Sequence, residues 1–406
     1  MDKLKKNKHQ IGVGGLELSE REKELVNQVL NSNRLTYGPM SKELENKFST
    51  SHACKYGLFM NSGTSALQVA LQSLKDRYGW ADGDEVIVPA ITFVATANIV
   101  LHNNMTPIFV DVESDTYNID PKRIEEKITD KTRAIIPVHL LGLPADMDPI
   151  MKIAKTYRLA VIEDSCEAMF AEYKDQKVGS IGDIGCFSTY VAHFLVTGVG
   201  GFSITNNPDI AIDMRSLMNH GRDNIYIGCN DDDGKEGDDL QEVIDKRFSF
   251  VHVGHSFRAT EMEAAIGLGQ LERMDEIISK RKIIAERFTN GLKNLSTFIQ
   301  LPSTPKDRTH SFMLYGVVVK NDTKKELVRY LEDLNIETRD LLPIINQPIY
   351  KRLYGNLEDK FPIAKWINES GFYIGCHSHM KDEEVEYVIK AFQNFYKNKN
   401  GEESEI

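Results

Sequence analysis

The sequence holds little of what marks a secreted, membrane-spanning or metal-stapled protein. Its five cysteines, Cys54, Cys166, Cys186, Cys229 and Cys376, are odd in number, scattered and free of any C-x-x-C pair. A disulfide framework or a zinc site is not expected from such spacing, no metal ligands are assigned, and a cytoplasmic location is the expectation. No stretch approaches the roughly 18 apolar residues of a membrane helix. The basic start MDKLKKNKHQ is not followed by the apolar segment of a secretory signal. Positive charge is not in excess either. The 49 Lys and Arg stand against 60 Asp and Glu, so the basic footprint of a nucleic-acid binder is missing. Repeats and low-complexity segments are absent. What is present is a chain of 406 residues, 41% hydrophobic and 27% charged, which is long enough for two globular domains.

Over the first 210 residues, short β-branched runs alternate with helical windows. Strands are expected at 86–89, 107–112, 134–139, 159–163, 186–189 and 201–205, most of them apolar on both sides of the pleat, as strands between two helix layers must be. In the window 65–74, Leu67, Ala70, Leu71 and Leu74 follow helical spacing. This alternation predicts an α/β domain with a mainly parallel sheet. The stretch 228–245 is acidic and reads as a solvated surface loop, since its carboxylates lack the alternation of a calcium loop. A helix is expected over 260–280. A strand at 312–319 and helices at 324–334 and 381–396 then suggest a smaller α+β unit, with Val385, Val388, Ile389 and Phe392 as one core stripe. The division expected is a large domain, residues 1–284 with the N-terminal arm, and a small one, 285–406, whose polar tail frays.

Four local features point to one site. Asn61-Ser62-Gly63-Thr64-Ser65-Ala66 precedes a helix and leaves backbone N–H groups open at its N-terminus, a natural phosphate cradle, although such turns are often no more than helix caps. Val161-Ile162-Glu163-Asp164 places an acid at the carboxyl end of a buried strand, the edge where ligands bind in open α/β sheets. A carboxylate there can hold the protonated ring nitrogen of a pyridine cofactor. From Gly182 a strand leads through Ser188-Thr189 to His193 and the Gly-rich turn Gly198–Gly201. Gly254-His255-Ser256-Phe257-Arg258 puts a basic group just ahead of the 260–280 helix.

With Tyr37-Gly38-Pro39, NSGTSAL, PAITFVATAN, PVHLLGLPADM, VIEDSCEA, NHGRD and EAAIGLGQL in order, the chain resembles the DegT/DnrJ/EryC1/StrS family along nearly its whole length. The resemblance implies the fold-type-I architecture of pyridoxal-phosphate-dependent transferases, an aspartate-aminotransferase-like α/β fold. It also implies action on a nucleotide-linked keto sugar and a homodimer with the active sites at its interface. Carried over by position, Gly63 and Thr64 bind the cofactor phosphate, Ser188 adds a hydroxyl to it, Phe93 stacks on the ring, Asp164 faces the ring nitrogen, and Glu167 lies near the phenolic oxygen. Ser256 and Arg258 are expected to reach the cofactor from the partner subunit.

The family's aminotransferases carry a lysine five residues after that serine, and here the position is His193. No lysine occurs between Lys177 and Lys235. A lysine amine forms a Schiff base with the cofactor aldehyde, whereas imidazole cannot but can act as acid or base near neutral pH. The resemblance then narrows to the histidine-bearing 3-dehydratases without an iron–sulfur cluster, which hold pyridoxal or pyridoxamine 5'-phosphate non-covalently and regain the amine from a donor such as glutamate. Other amine chemistry on a nucleotide sugar, or a catalytically degenerate regulator, are the alternatives. His139 and His220 could be structural or catalytic.

Overall fold

The computed structural model describes residues 4–223, 234–246, 248–321 and 323–400. Its main sheet has seven strands, in the order β1 (Tyr56–Met60), β9 (Gly201–Thr205), β8 (Ile184–Ser188), β5 (Ala160–Asp164), β4 (Thr132–Ile135), β2 (Glu85–Pro89) and β3 (Thr106–Val110). The pairs from β8 to β3 are all parallel, whereas β9 runs antiparallel to both of its neighbours. Each strand expected from the sequence is present within a few residues. β1 is not among the strands expected above, and its pairing with β9 depends on residues about 145 positions away.

Side-chain alternation on the central strands explains why they are apolar on both faces. Val86, Val88, Ala134, Ile136 and Ile162 join the cluster formed with α2 (Pro39–Ser51), α3 (Gly63–Tyr78) and α8 (Glu261–Glu272). The intervening Ile87, Ile135 and Val161 pack on the other face with Ile150 and Ile153 of α5 (Met147–Tyr157). The period of two sends successive residues to opposite layers.

The expected 260–280 helix is two helices. α8 stops and α9 (Met274–Leu292) begins at Arg273, whose backbone leaves the helical region (φ −110°, ψ 11°) while its guanidinium holds buried Glu22 at 2.6 Å. The acidic stretch also differs from the loop expected there. Residues 224–233, including Cys229, lie outside the described residues, but Gly237–Lys246 forms a helix, α7. Leu240, Val243 and Ile244 recur at i, i+3 and i+4, and Gln241–Asp245 and Glu242–Lys246 pair across one turn, so local helical signals outweigh the acidic composition.

The C-terminal unit is a four-stranded antiparallel sheet, β10 (Ile299–Gln300), β11 (Leu314–Val319), β13 (Gly371–Gly375) and β12 (Thr338–Asp340), covered by α9, α10 (Lys324–Asp333) and α13 (Asp382–Asn400). The α13 stripe Val385, Val388, Ile389 and Phe392 is core, as expected. α9 runs without interruption through residues 284 and 285, its first half packed in the large cluster and its second in the C-terminal one. Ile11 of the N-terminal arm also belongs to the C-terminal cluster and bonds through its backbone to Asn335 and Glu337. Among the described residues no helix is long and apolar enough to cross a membrane.

One buried ion pair ties three elements together. Arg215 of α6 (Pro208–Leu217) meets Glu45 of α2 through two 2.7 Å bonds, and Glu45 also accepts the Phe59 N–H of β1 at 2.7 Å. Removing one partner strands a buried charge. Arg215→Ala is therefore expected to lower the unfolding free energy by about 3–5 kcal/mol in urea denaturation. Breaking the exposed Lys47–Glu43 pair should change it by less than about 1 kcal/mol.

Candidate active site

A cavity of about 420 Å³ opens at the carboxyl edge of the parallel strands, between the main sheet and the C-terminal unit. The N-terminus of α3 forms one wall. Ser62 Oγ caps the Ser65 N–H at 3.0 Å, and the N–H groups of Gly63 and Thr64, both lining the cavity, have no acceptor within the helix. The cap and the cradle are thus one structure. Gly201 of β9 passes so close that a Cβ there would lie 2.5 Å from the Gly63 nitrogen, so the Gly-rich turn serves the approach of β9 to this helix end. Ser188, at the end of β8, lies on the other side of Gly63 and lines the same cavity.

Asp164 ends β5 inside the cavity wall. Its Oδ2 accepts the Thr96 hydroxyl at 2.8 Å and its Oδ1 the Cys166 N–H at 3.3 Å, and burial raises its pKa against these bonds. Thr96 sits one turn into α4 (Val94–His102), whose N-cap is Phe93, and Phe93 lines the cavity at its rim, 57% exposed. Glu167 is buried, and its carboxylate accepts the Leu141 N–H at 2.7 Å. Burial, with Asp164 nearby, pushes it up to about 7. Cys166 is half-buried and lines the cavity after the strand has ended, with its thiol held well above the ordinary value by burial.

His193 stands in the turn after β8. Its Nδ1 lies 3.3 Å from the Tyr190 carbonyl, which can only accept, so the proton is on Nδ1 and Nε2 is a free base in the neutral ring. Burial drives the imidazole down to about 4, opposed by that carbonyl and assisted by the Arg281 charge. No lysine is among the described residues lining the cavity.

The remaining candidates are elsewhere. Ser256 and Arg258 are exposed and outside the cavity of their own chain, where Arg258 donates to Ser256 Oγ and His220 Nε2, each at 3.2 Å. His220 is thereby a surface partner of Arg258. His139 is structural, with Nε2 donating to Glu163 at 3.0 Å and Nδ1 accepting the Ala145 N–H at 3.0 Å. Sequence reasoning did not single out Val13, Tyr373 and Thr96. Thr96 had a local signal, since Thr92 and Thr96 at i, i+4 are hydrogen-bonded at 2.7 Å, but Val13 and Tyr373 reach the wall through tertiary packing. No group of three or more potential metal ligands occurs among the described residues.

A mainly parallel seven-stranded sheet between helix layers, with its cavity shared by a smaller antiparallel unit, defines a fold-type-I transferase of the pyridoxal-phosphate-dependent class. Within that class, the chain belongs to the DegT/DnrJ/EryC1/StrS aminotransferase family, whose model matches residues 17–393. It is 33% identical to the GDP-perosamine synthase of Escherichia coli O157:H7, over 94% of this chain and 97% of that protein. It is 31% identical to a dTDP-4-dehydro-2,6-dideoxy-D-glucose 3-dehydratase of Saccharopolyspora spinosa, over 89% and 81% of the two chains. The solved GDP-4-keto-6-deoxy-D-mannose-3-dehydratase of Escherichia coli, with bound hydrated pyridoxal phosphate, superposes with a TM-score of 0.84 at 26% identity, covering 94% of this chain and 100% of that one.

The raised Glu167 carboxyl has a consequence for stability. Its folded pKa of about 7 lies above the ordinary 4.5, so the folded state keeps a proton that the unfolded chain gives up. The stabilisation is complete below about pH 4.5 and is lost as pH rises through 7. In urea unfolding of cofactor-free protein at pH 5 and pH 8, Glu167→Gln should remove roughly 1–3 kcal/mol of the wild-type decline. An identical decline in the variant would mean the carboxyl is not displaced.

Proposed function

We propose that this protein removes the C3 hydroxyl of a nucleotide-linked 4-keto sugar, using pyridoxamine or pyridoxal 5'-phosphate held without a covalent lysine bond. The observation that carries the reading is His193, a neutral base in a cavity wall to which no described lysine contributes. The residues fit such a cofactor. An open helix end beside a serine hydroxyl suits its phosphate, and the buried Asp164, otherwise raised by desolvation, regains its charge beside a cationic ring nitrogen.

When bound, the cofactor supplies an amine and a conjugated electron sink. The chain supplies the rest. Gly63, Thr64 and Ser188 would hold the cofactor phosphate, Phe93 would cover its ring, Asp164 would pair with its ring nitrogen and Glu167 would lie near its phenolic oxygen. His193 would hold or move a proton at Nε2, and Nδ1, committed to the Tyr190 carbonyl, keeps the ring oriented. Glutamate is the amine donor of this reading. A homodimer completes it. Phe248, Phe250, Val251 and Val253 are exposed apolar residues just before Ser256 and Arg258, so a partner covering this surface would carry that pair toward a neighbouring cavity.

The second reading is an aminotransferase or other amine chemistry on the same substrate class, favoured by the 33% identity to a GDP-perosamine synthase. A catalytically degenerate regulator is a weaker fit, because a dead site has no need to keep Asp164, Ser188 and the Gly63–Thr64 cradle together.

Absorption spectra with added pyridoxal phosphate, before and after glutamate and borohydride, separate these. Reversible binding, conversion to the amine form by glutamate and no borohydride-fixed protein adduct are expected. A trapped lysine adduct would move the aminotransferase to the front. His193→Ala should retain cofactor binding and lose about 10²–10⁴-fold in turnover of a 4-keto sugar, and undiminished turnover would end the acid–base role.

A further inference from the structure

Arg281, on α9, is 2% exposed, and among the described residues none of its hydrogen-bond partners is a carboxylate. Its Nη1 donates to the carbonyls of Met313 at 2.8 Å and Cys376 at 2.9 Å, with Phe312 at 3.4 Å. Its Nη2 donates to the His193 carbonyl at 3.0 Å, and Nε has no partner among the described residues. The guanidinium carbon lies 4.8 Å from the ring centre of Phe194, the next residue of the same turn. A buried cation held by carbonyl dipoles and a ring face, without a counter-charge, is costly, and an apolar side chain would fill the space without that cost. The fork does what an apolar group cannot. It binds the histidine turn with one nitrogen and the C-terminal unit with the other.

We infer that Arg281 is a positioning residue for His193, clamping the carbonyl of its turn to the C-terminal sheet so that packing between the two units places the imidazole in the cavity. The inference rests on the proposed acid–base role of His193. The N-terminal arm closes the same turn from another side, where a Cβ on Gly14 would lie 3.0 Å from the Ala192 Cα. Met313, whose carbonyl Arg281 holds, lines the cavity along with His193.

The clamp also carries a charge toward the base. The titratable and charged groups around the turn include Arg281 from α9, Asp164, Cys166 and Glu167 at and after the end of β5, Tyr190 within the turn, Tyr373 of β13, and Cys376, His377 and His379 after it, which themselves feel Arg281. Of these, Arg281 opposes protonation of His193, in the same direction as burial. Losing the charge therefore raises the His193 pKa, whereas replacing the fork by a lysine keeps the charge and loosens the geometry. A residue that merely filled the core would do neither.

The test is a ¹⁵N-histidine NMR titration of the full-length holoenzyme, with the His193 signal assigned by its absence in His193→Gln, alongside kcat and KM for a 4-keto sugar. In Arg281→Met the His193 midpoint should rise above that of the wild type, because the opposing charge is gone while the burial remains. Arg281→Lys should keep the wild-type midpoint while kcat falls at least tenfold and KM stays within about twofold. A folded Arg281→Met with an unmoved midpoint overturns the inference. Where the Met variant fails to fold, an Arg281→Lys with wild-type kcat overturns it. A midpoint that moves as stated while no variant, nor the wild type, dehydrates any 4-keto sugar leaves the clamp standing and removes the proposed reaction.

Discussion

Glu163 is fully buried, and its two carboxylate oxygens gather four donors: His139 Nε2 at 3.0 Å and the N–H groups of Gly179 at 2.8 Å, Ile181 at 2.7 Å and Gly182 at 2.7 Å. A carboxylate taken out of water costs several kcal/mol unless such partners are present, so these bonds fix the path of the chain from residue 179 into β8. β8 delivers Ser188 and, five residues further, His193. On the other side, His139 and Asn118 order the loop after β4, and Asn118 accepts the Leu140 N–H while its amide holds the Leu143 and Pro144 carbonyls. That loop presents the Leu141 N–H to Glu167. Strand alternation sends Glu163 and Asp164 to opposite faces. One strand end therefore supplies both the anchor behind the site and the acid within it.

This division of labour explains which parts of the site were legible in the sequence. Gly63, Thr64, Phe93, Asp164, Glu167, Ser188 and His193 sit on motifs where a strand or helix end meets a loop, and the structure brings all seven to one cavity. Local sequence carries such signals because helix ends, small residues and strand-end acids have short-range causes. The supports were not legible. Nothing near Arg281 in the chain announces that it reaches residues 193, 313 and 376, and Glu163 reads as a mere neighbour of Asp164. Ser256 and Arg258 also lie on a legible motif, but the structure leaves them exposed and outside the cavity, because a motif fixes local spacing and not which surface it meets.

The fold shows the same boundary. Periodicity located the buried strands and the α13 stripe, because burial on two faces or one leaves a direct imprint on residue type. The reversed direction of β9 left no such imprint, as pairing direction is settled between strands distant in sequence. The break at Arg273 was hidden because small and apolar residues continue across it, and α7 was hidden by acidic residues that line the exposed side of a true helical period. In both cases composition spoke for one face of an element and was mistaken for the whole.

The electrostatics of the cavity follow from its lining. Val13, Leu67, Ala95, Val138, Met313, Leu314 and Leu342 leave little to stabilise charge, and burial shifts Asp164, Glu167 and His193 toward their neutral forms. Against this background two biases remain. The open N–H groups of α3 favour an anion at one end, and Asp164 favours a cation at the other. A ligand with a phosphate at one end and a protonated ring nitrogen at the other satisfies both. Between them stands a base that desolvation keeps neutral and that has one ring nitrogen committed to a carbonyl. A lysine at that place would be drawn toward covalent attachment or would carry a charge into an apolar wall. Imidazole avoids both, and its free Nε2 can take up a proton and return it without leaving the turn that Arg281 holds.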